Sequence, residues 1–378
     1  MLALVVVLAV RACGSPEPPA DPSWHLNEFM ISVWGEPSDD ATAQAIADAG
    51  FNTAMSSADK LALCEKHGLK SIVRDASPES AAELADRPSV WGLYVKDEPP
   101  AEEFAAVGER AAEFHSLAPG LPAYVNLMAW MNLSDYFETV KPKFLSYDYY
   151  QWWWNRDHHF GRLAAHRAAA LEHDVPLICW VEANADKRWE WGEAGATTLP
   201  DNEPKLRQSV YTSLAYGVKG IQWFNWTLVF QRGEGGVMLP KLKESGEHIK
   251  QINAELKALG PTLIGLTSTG VYHTAPVPEG CQPLPAEMWL ATGTGDLVVG
   301  DFLDVPSRRH ALVANRSIER ARWVVLRAAP AASIEILDRS SGTWRALAAR
   351  RTTDATVIEF ILAPGDGALL REAARRPN

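Results

Sequence analysis

Two glutamates follow short apolar runs, at positions where a catalytic carboxyl group can stand. Glu98 comes just after residues 90–95, in the sequence Lys-Asp-Glu-Pro, and Glu182 comes directly after residues 177–181. Glycoside hydrolysis usually needs one carboxyl group that protonates the leaving oxygen and another that attacks the anomeric carbon or activates water. An isolated Asp-Glu-Pro is also typical of a helix start, where the helix dipole favours acidic side chains. The second glutamate favours the catalytic interpretation.

Eight apolar runs of strand character recur along the first two thirds of the chain, with helical periodicity between them. This alternation predicts a (β/α)8 TIM barrel, in which the active site lies at the carboxyl ends of the strands. We expect the last helix to stop at Gly260-Pro261 and the barrel to span residues 23–261. The eight runs are residues 29–33, 52–55, 70–73, 90–95, 123–126, 144–147, 177–181 and 220–224.

The pattern changes beyond Pro261 to short β runs separated by turn residues, without a long helical stripe. Aliphatic and polar residues alternate there, which is typical of strands with one buried face. The economical prediction for residues 262–378 is a small antiparallel β-sandwich. The predicted strands are residues 288–291, 297–299, 311–314, 323–326, 334–337 and 357–362.

The arrangement of the two glutamates resembles that of the clan A (β/α)8 glycoside hydrolases, which are retaining enzymes. The resemblance rests on a strand four that ends in Glu-Pro and a strand seven that ends in Glu, and it covers about 240 residues of barrel without indicating a particular family. It implies that Glu98 is the general acid/base and that Glu182 is the nucleophile. The clan commonly has Asn before the acid/base glutamate, to contact a sugar hydroxyl, whereas this chain has Asp97.

Tryptophan is the second observation that favours a carbohydrate site. The chain has 15 Trp in 378 residues, and many follow predicted strand ends. Indole rings stack on the C–H faces of sugars and can donate an N–H to a hydroxyl, although any single Trp can equally be a packing residue. Three consecutive Trp cannot all lie on one buried strand face. The predicted substrate-binding residues are Trp34, Arg74, Asp97, Asn126, Trp130, Asp148, Tyr149, Trp152, Trp153 and Trp226. The resemblance also suggests that Arg74 and Tyr149 orient Glu182.

Composition excludes several other classes of function. The net charge of −11 offers no basic surface for nucleic acid. The cysteines are few and widely spaced, without a CxxC pair, and the histidines lack the spacing of an HExxH site. We therefore expect a carbohydrate substrate, no metal and no organic cofactor.

The first 22 residues have the character of a bacterial export signal. An apolar run at residues 1–10 is too short to span a bilayer, and the sequence around Cys13 resembles a lipobox, followed by a Pro-rich stretch suited to a tether. We expect lipidation at Cys13 and a location in the cell envelope or outside the cell. A disordered or buried N-terminus is the alternative.

Two other functions fit the same sequence. A surface lipoprotein could keep the aromatic cleft and bind glycans without cleaving them, and a barrel hydrolase could act on a substrate that is not a sugar. Turnover of a glycan distinguishes the enzyme from both.

Overall fold

The computed structural model describes residues 24–186, 202–305 and 307–373. The predicted lipidation site at Cys13 and the tether up to Pro22 lie outside the described residues. Within the described ranges, none of the helices combines the length and the apolar character that a membrane crossing requires.

Eight parallel strands close into a barrel in chain order, as the apolar runs predicted. The last strand pairs with the first, with Ile221 opposite Ile31. A closed ring leaves no unpaired edge and brings all eight carboxyl ends to one mouth. The strands are β1 (Met30–Val33), β2 (Thr53–Ser56), β3 (Lys70–Val73), β4 (Val90–Asp97), β5 (Ala123–Met128), β6 (Leu145–Asp148), β7 (Leu177–Glu182) and β8 (Gly220–Phe224).

Helices surround this barrel and bury the apolar stripes seen in the sequence. The last one runs through the expected stop at Gly260-Pro261 and ends at Leu263, so that prediction was wrong. Pro261 lies in the final turn, where its missing N–H costs the helix only one backbone bond. The helices are α1 (Asp40–Asp48), α2 (Leu61–Lys66), α3 (Pro78–Ala85), α4 (Phe104–Leu117), α5 (Leu133–Val140), α6 (His159–Glu172), α7 (Asn202–Ala215), α8 (Trp226–Val229) and α9 (Glu244–Leu263).

The barrel interior is filled by large side chains from alternate strand positions. Trp91, Tyr124, Phe144 and Trp180 form one buried cluster there, whereas their strand neighbours face the helices. This alternation follows from the two-residue period of a strand. The packed interior closes the barrel below the mouth, so the site is a cavity and not a channel.

The C-terminal region is a β-sandwich of two antiparallel sheets, as predicted. Residues 288–291 do not form the predicted strand, since Ala291 makes only an isolated bridge to Arg327. A hairpin of β9 (Phe230–Arg232) and β10 (Met238–Leu242) precedes α9. The six-stranded sheet contains β11 (Thr267–His273), β12 (Leu297–Leu303), β13 (Arg309–Asn315), β19 (Gly367–Glu372), β15 (Ile334–Asp338) and β16 (Thr343–Ala346). The three-stranded sheet contains β14 (Arg322–Ala328), β18 (Thr356–Leu362) and β17 (Ala349–Arg351).

Helix α7 packs directly against the six-stranded sheet. Glycines permit the close approach: a Cβ atom at Gly300 would lie 2.1 Å from the carbonyl oxygen of Ala215, at the end of α7. Arg207 of α7 donates to Glu255 of α9 at 2.9 Å and lies 3.5 Å from Asp366, next to β19. The largest core cluster accordingly continues from the barrel helices into this sheet.

Candidate active site

A cavity of about 380 Å³ opens at the carboxyl ends of the barrel strands. Its size is within the range of small-molecule sites, about 300–1,000 Å³. Three carboxyl groups face it, from Asp97, Glu98 and Asp148, and aromatic rings form most of the remaining wall. The other lining residues are Trp34, Asn126, Met128, Trp130, Tyr149, Tyr150, Trp153, Trp154, Trp180 and Phe224.

Glu98 is held at the mouth by an unusual backbone conformation. Its φ is +47°, in the left-handed region that costs an ordinary residue roughly 1–2 kcal/mol. Its N–H donates to the carbonyl oxygen of Asn126 at 2.9 Å, which ties the turn after β4 to β5. The side chain is exposed and lines the cavity. Such strain is concentrated at functional sites, because the surrounding structure must maintain it.

The carboxyl groups of Glu98 and Asp148 both line the cavity and lie within hydrogen-bonding reach of each other. Burial raises the pKa of Asp148 well above its usual range, and the neighbouring charges of Glu98 and Asp97 raise it further. Two carboxylates in contact cannot both ionise freely, so Asp148, which is buried, keeps its proton to a higher pH than a solvated aspartate does. The site therefore has a proton to donate under conditions where a solvated aspartate has none.

Asp97 is oriented by a chain of hydrogen bonds through the barrel interior. Asn126 donates from Nδ2 to Asp97 at 3.1 Å and accepts at Oδ1 from the Ser146 hydroxyl at 2.9 Å. Gln222 donates to Ser146 at 3.1 Å and accepts from Tyr124 at 3.0 Å. Burial raises the pKa of Asp97 to about 6, partly offset by the Asn126 bond and reinforced by the charge of Glu98. The network fixes the Asn126 amide with its donor toward the carboxyl group.

Glu182 lies at the end of β7 but is not among the residues that line the cavity. It is 0% exposed, and burial raises its pKa to about 8. The Ser209 hydroxyl donates to Oε1 at 3.0 Å, and the backbone N–H of Trp152 is also within hydrogen-bonding reach. Ser209 itself accepts from the Trp152 indole at 3.1 Å and from the Gln151 amide at 2.8 Å. Both lone pairs of the hydroxyl are thus used, and its proton is directed to Glu182.

The aromatic wall has a buried part and an exposed part. Trp180 is fully buried, and its ring meets that of Trp34 edge to face at 5.4 Å. Trp153 donates from its indole N–H to the carbonyl oxygen of Asn184 at 2.8 Å. Trp130 and Trp154, about half exposed, meet at 6.2 Å at the mouth. The first part is built for packing and the second offers indole faces to a ligand.

Three of the predicted binding residues lie outside this cavity. Trp152 packs over α7, with its indole N–H donating to the carbonyl oxygen of Lys205 at 3.2 Å as well as to Ser209. Arg74 and Trp226 line a neighbouring cavity. Arg74 pairs with Glu36 at 2.9 Å, and the Tyr149 hydroxyl donates to the carbonyl oxygen of Asn155 at 2.5 Å. Neither of the two residues expected to orient Glu182 contacts it, and Ser209 takes that role.

Several contributions to the site were not visible in the sequence. Ser209 is an ordinary polar position within α7, and nothing in its neighbours indicates a contact with strand seven. The Glu98–Asp148 pair depends on the turn after β4, whose conformation the sequence does not specify. Met128 and Tyr150 could have been found by extending their strands by a few residues toward the carboxyl end, whereas Trp180 and Phe224 lie within predicted strands and were not singled out there. In the described part of the chain, no three His, Cys, Asp or Glu side chains are grouped to hold a metal ion.

Comparison with known proteins relates the chain to solved structures. No protein-family model matches it, and no curated protein matches its sequence significantly. A protein described as a glycoside hydrolase is similar with a TM-score of 0.60 at 10% identity, covering 93% of both chains. A family 5 glycoside hydrolase from Bacteroides vulgatus is similar with a TM-score of 0.57 at 12% identity, covering 91% of this chain and 89% of the other. At these identities the likeness establishes a shared fold, a (β/α)8 barrel followed by a β-sandwich.

Proposed function

We propose that this protein is a glycoside hydrolase. The observation that carries the proposal is the contact of the Glu98 and Asp148 carboxyl groups inside a cavity walled by aromatic rings, where burial raises the pKa of Asp148. A protonated carboxyl group can assist departure of a glycosidic oxygen, and aromatic faces bind the apolar sides of sugar rings. The fold shared with glycoside hydrolases agrees with this assignment.

In the proposed mechanism, Glu98 is the general acid/base and Glu182 the nucleophile, with retention of configuration. Glu98 and Asp148 cannot serve as the acid/base and the nucleophile of one reaction, because they are too close together. The two catalytic carboxyl groups are about 5–5.5 Å apart in retaining enzymes and about 6.5–9.5 Å apart in inverting enzymes, and both separations are longer than a hydrogen bond. Asp148 instead positions Glu98 through the contact between their carboxyl groups. Glu98 gives its proton to the leaving oxygen and regains one from the water that hydrolyses the glycosyl-enzyme, so no proton has to come from Asp148.

Nucleophilic attack by Glu182 requires a rearrangement. Its carboxyl group is buried beside Trp152 and Ser209, and a substrate in the cavity does not reach it in this structure. We propose that binding displaces Trp152 from its place above α7, which exposes Glu182 at the cavity wall. Closer contact with polar groups and solvent would then favour the ionised form that attack needs.

The test is a hydrolysis screen with mixed-linkage plant and bacterial oligosaccharides, read by proton NMR of the newly formed anomeric centre. Release of a sugar with retained configuration supports the full mechanism. Initial release of the inverted anomer leaves the enzyme assignment standing and removes Glu182 as nucleophile. Tight binding of a glycan without turnover would contradict the enzyme and favour a glycan-binding protein.

We also propose export and lipidation at Cys13. Expression in a bacterial host with radiolabelled palmitate tests this directly, with Cys13→Ser as the matched variant. Label in the parent and none in the Cys13→Ser variant supports the proposal, and equal labelling of both contradicts it.

A further inference from the structure

A second cavity, of about 410 Å³, adjoins the first and shares Trp34 with it. Its wall comes from the turns after β1, β2 and β3 and from the region after β8. Trp226 contributes an indole ring, and Glu36, Lys60 and Arg74 contribute charged groups. It therefore combines aromatic and polar groups in the manner of a sugar-binding site, at the same mouth of the barrel.

The polar groups of the second cavity are held in place by the protein. The Arg74 guanidinium and the backbone and side chain of Ser57 all donate to Oε2 of Glu36, at 2.9, 3.0 and 3.1 Å. These three bonds converge on one oxygen of a residue that lines the cavity, so Glu36 is a carboxylate acceptor held in place there. Lys60, with its side chain 29% exposed, adds a donor. Sugar hydroxyls can use both kinds of group.

The aromatic side of this cavity depends on a glycine. A Cβ atom at Gly35 would lie 2.6 Å from Cδ1 of Trp226, so only glycine permits the indole to lie against the backbone after Trp34. The backbone N–H of Trp226 donates to the carbonyl oxygen of Trp34 at 3.1 Å. This bond holds the two residues side by side, and because Trp34 lines both cavities, the aromatic wall of the first continues to Trp226 in the second.

The strand order of the barrel places the first and the second cavity walls toward opposite sides of the barrel mouth. In a closed ring of eight strands, β5 and β6 lie across the barrel from β1 and β2. Trp130 follows β5 and Trp154 follows β6, whereas Glu36 follows β1 and Lys60 follows β2. Asp97 and Glu98, at the end of β4, lie between these two groups of strands in the ring.

We infer that the second cavity is a further sugar subsite and that the cleft accepts an oligosaccharide chain, which is cleaved at an internal linkage. The inference rests on the proposed function for the cleavage, but the binding of a chain does not depend on turnover. One end of the chain lies on Trp130 and Trp154, and the other occupies the space beside Lys60 and Trp226.

The experiment measures binding to a Glu98→Gln background, so that turnover does not consume the ligand. The probes are the di- and hexasaccharides of cellulose, mannan, xylan and laminarin, titrated by calorimetry. In the best-binding series, Val237→Trp should weaken hexasaccharide binding about tenfold or more and leave disaccharide binding unchanged. Val237 lines the second cavity and is half exposed, so the larger ring fills the space without disturbing the core.

Leu239→Trp is the matched control, because Leu239 is two residues away, partly exposed and outside the lining of either cavity. Equal hexasaccharide affinity in the Val237→Trp and Leu239→Trp proteins would overturn the subsite. If the parent hydrolyses glycans but gives that result, the enzyme assignment stands and the subsite fails. If hexasaccharides bind in a Val237-dependent way and no glycan is hydrolysed, the subsite stands and the enzyme fails. Absence of binding by every probe overturns the subsite.

Discussion

The ends of strands β4 and β7 place their glutamates in opposite environments. Glu98 is exposed in a strained turn beside Asp148, whereas Glu182 is fully buried and receives a hydrogen bond from Ser209. Both follow an apolar strand, and both are carried to the same mouth. The segment after β6, which contains Trp152, makes the difference, since it covers the end of β7 and leaves the end of β4 open. Position at a strand end therefore does not by itself give a carboxyl group access to the cavity.

The largest effect is expected at the covered glutamate. Glu182→Ala should reduce turnover on the order of 10⁴-fold or more, as removal of a nucleophile does in hydrolases. Azide, a small anion able to enter the vacated space, should restore turnover and give a glycosyl azide of inverted configuration, read by NMR. Substantial activity without azide would contradict the nucleophile role and leave Glu182 a buried structural group.

Glu98→Gln should lower turnover about 10²- to 10⁴-fold, the usual contribution of general acid–base catalysis. The loss should be smaller for aryl glycosides with acidic phenols, because those leaving groups need little protonation. Steady-state rates for dinitrophenyl and unsubstituted phenyl glycosides measure this dependence. A uniform loss for both substrates would argue that Glu98 only binds.

Asp148→Asn should cost about tenfold in turnover, comparable to one charge-assisted hydrogen bond. The asparagine amide can still donate a hydrogen bond to Glu98, but it cannot bind and release a proton as the Asp148 carboxyl group does. The alkaline limb of the pH–rate profile should therefore move to lower pH, since the pair has one site fewer for a proton. An unchanged profile with a lower rate would indicate that Asp148 only supports the cavity shape.

Glu182 should also make stability depend on pH. Its pKa is raised in the fold from 4.5 to about 8, so the folded chain keeps a proton that the unfolded chain releases between those values. The free energy of unfolding should fall as pH rises through this window and level off above it. Glu182→Gln should remove this part of the slope, a difference of a few degrees in Tm between pH 5 and pH 8 by calorimetry. Glu98→Gln is the control, and an equal flattening in both variants would contradict the assignment.

The hydrophobic periodicity of the sequence was sufficient to predict the eight-stranded barrel. Each of the eight barrel strands was found within two residues of its predicted ends, because buried parallel strands are short apolar runs bounded by turns. The helix stop at Pro261 failed because a proline in a final turn removes only one hydrogen bond. Strands such as β16 (Thr343–Ala346), largely exposed, lack the buried alternation that would have marked them.

Part of the site could be predicted from the positions of the strand ends. Strand ends gave the cavity positions of Asp97, Asn126, Asp148 and Trp34, since a strand end points to the mouth in any such barrel. The sequence did not give the contact between Ser209 and Glu182, which joins residues 27 positions apart through the packing of α7 on β7. Contacts of this kind depend on helix position and loop path, which local pattern does not encode.

The packing of α7 against the six-stranded sheet has a consequence for engineering. Helix α7, which carries Ser209, contacts the C-terminal region at two points. Arg207 forms an ion pair with Asp366, and the end of the helix packs closely against Gly300. A chimaera that joins these eight strands and their helices to another sheet would keep the carboxyl groups of the cavity. It would lose the contacts that hold α7, and with them the hydrogen bond from Ser209 to Glu182. The smallest unit that keeps the setting of Glu182 is the barrel together with its C-terminal sheets.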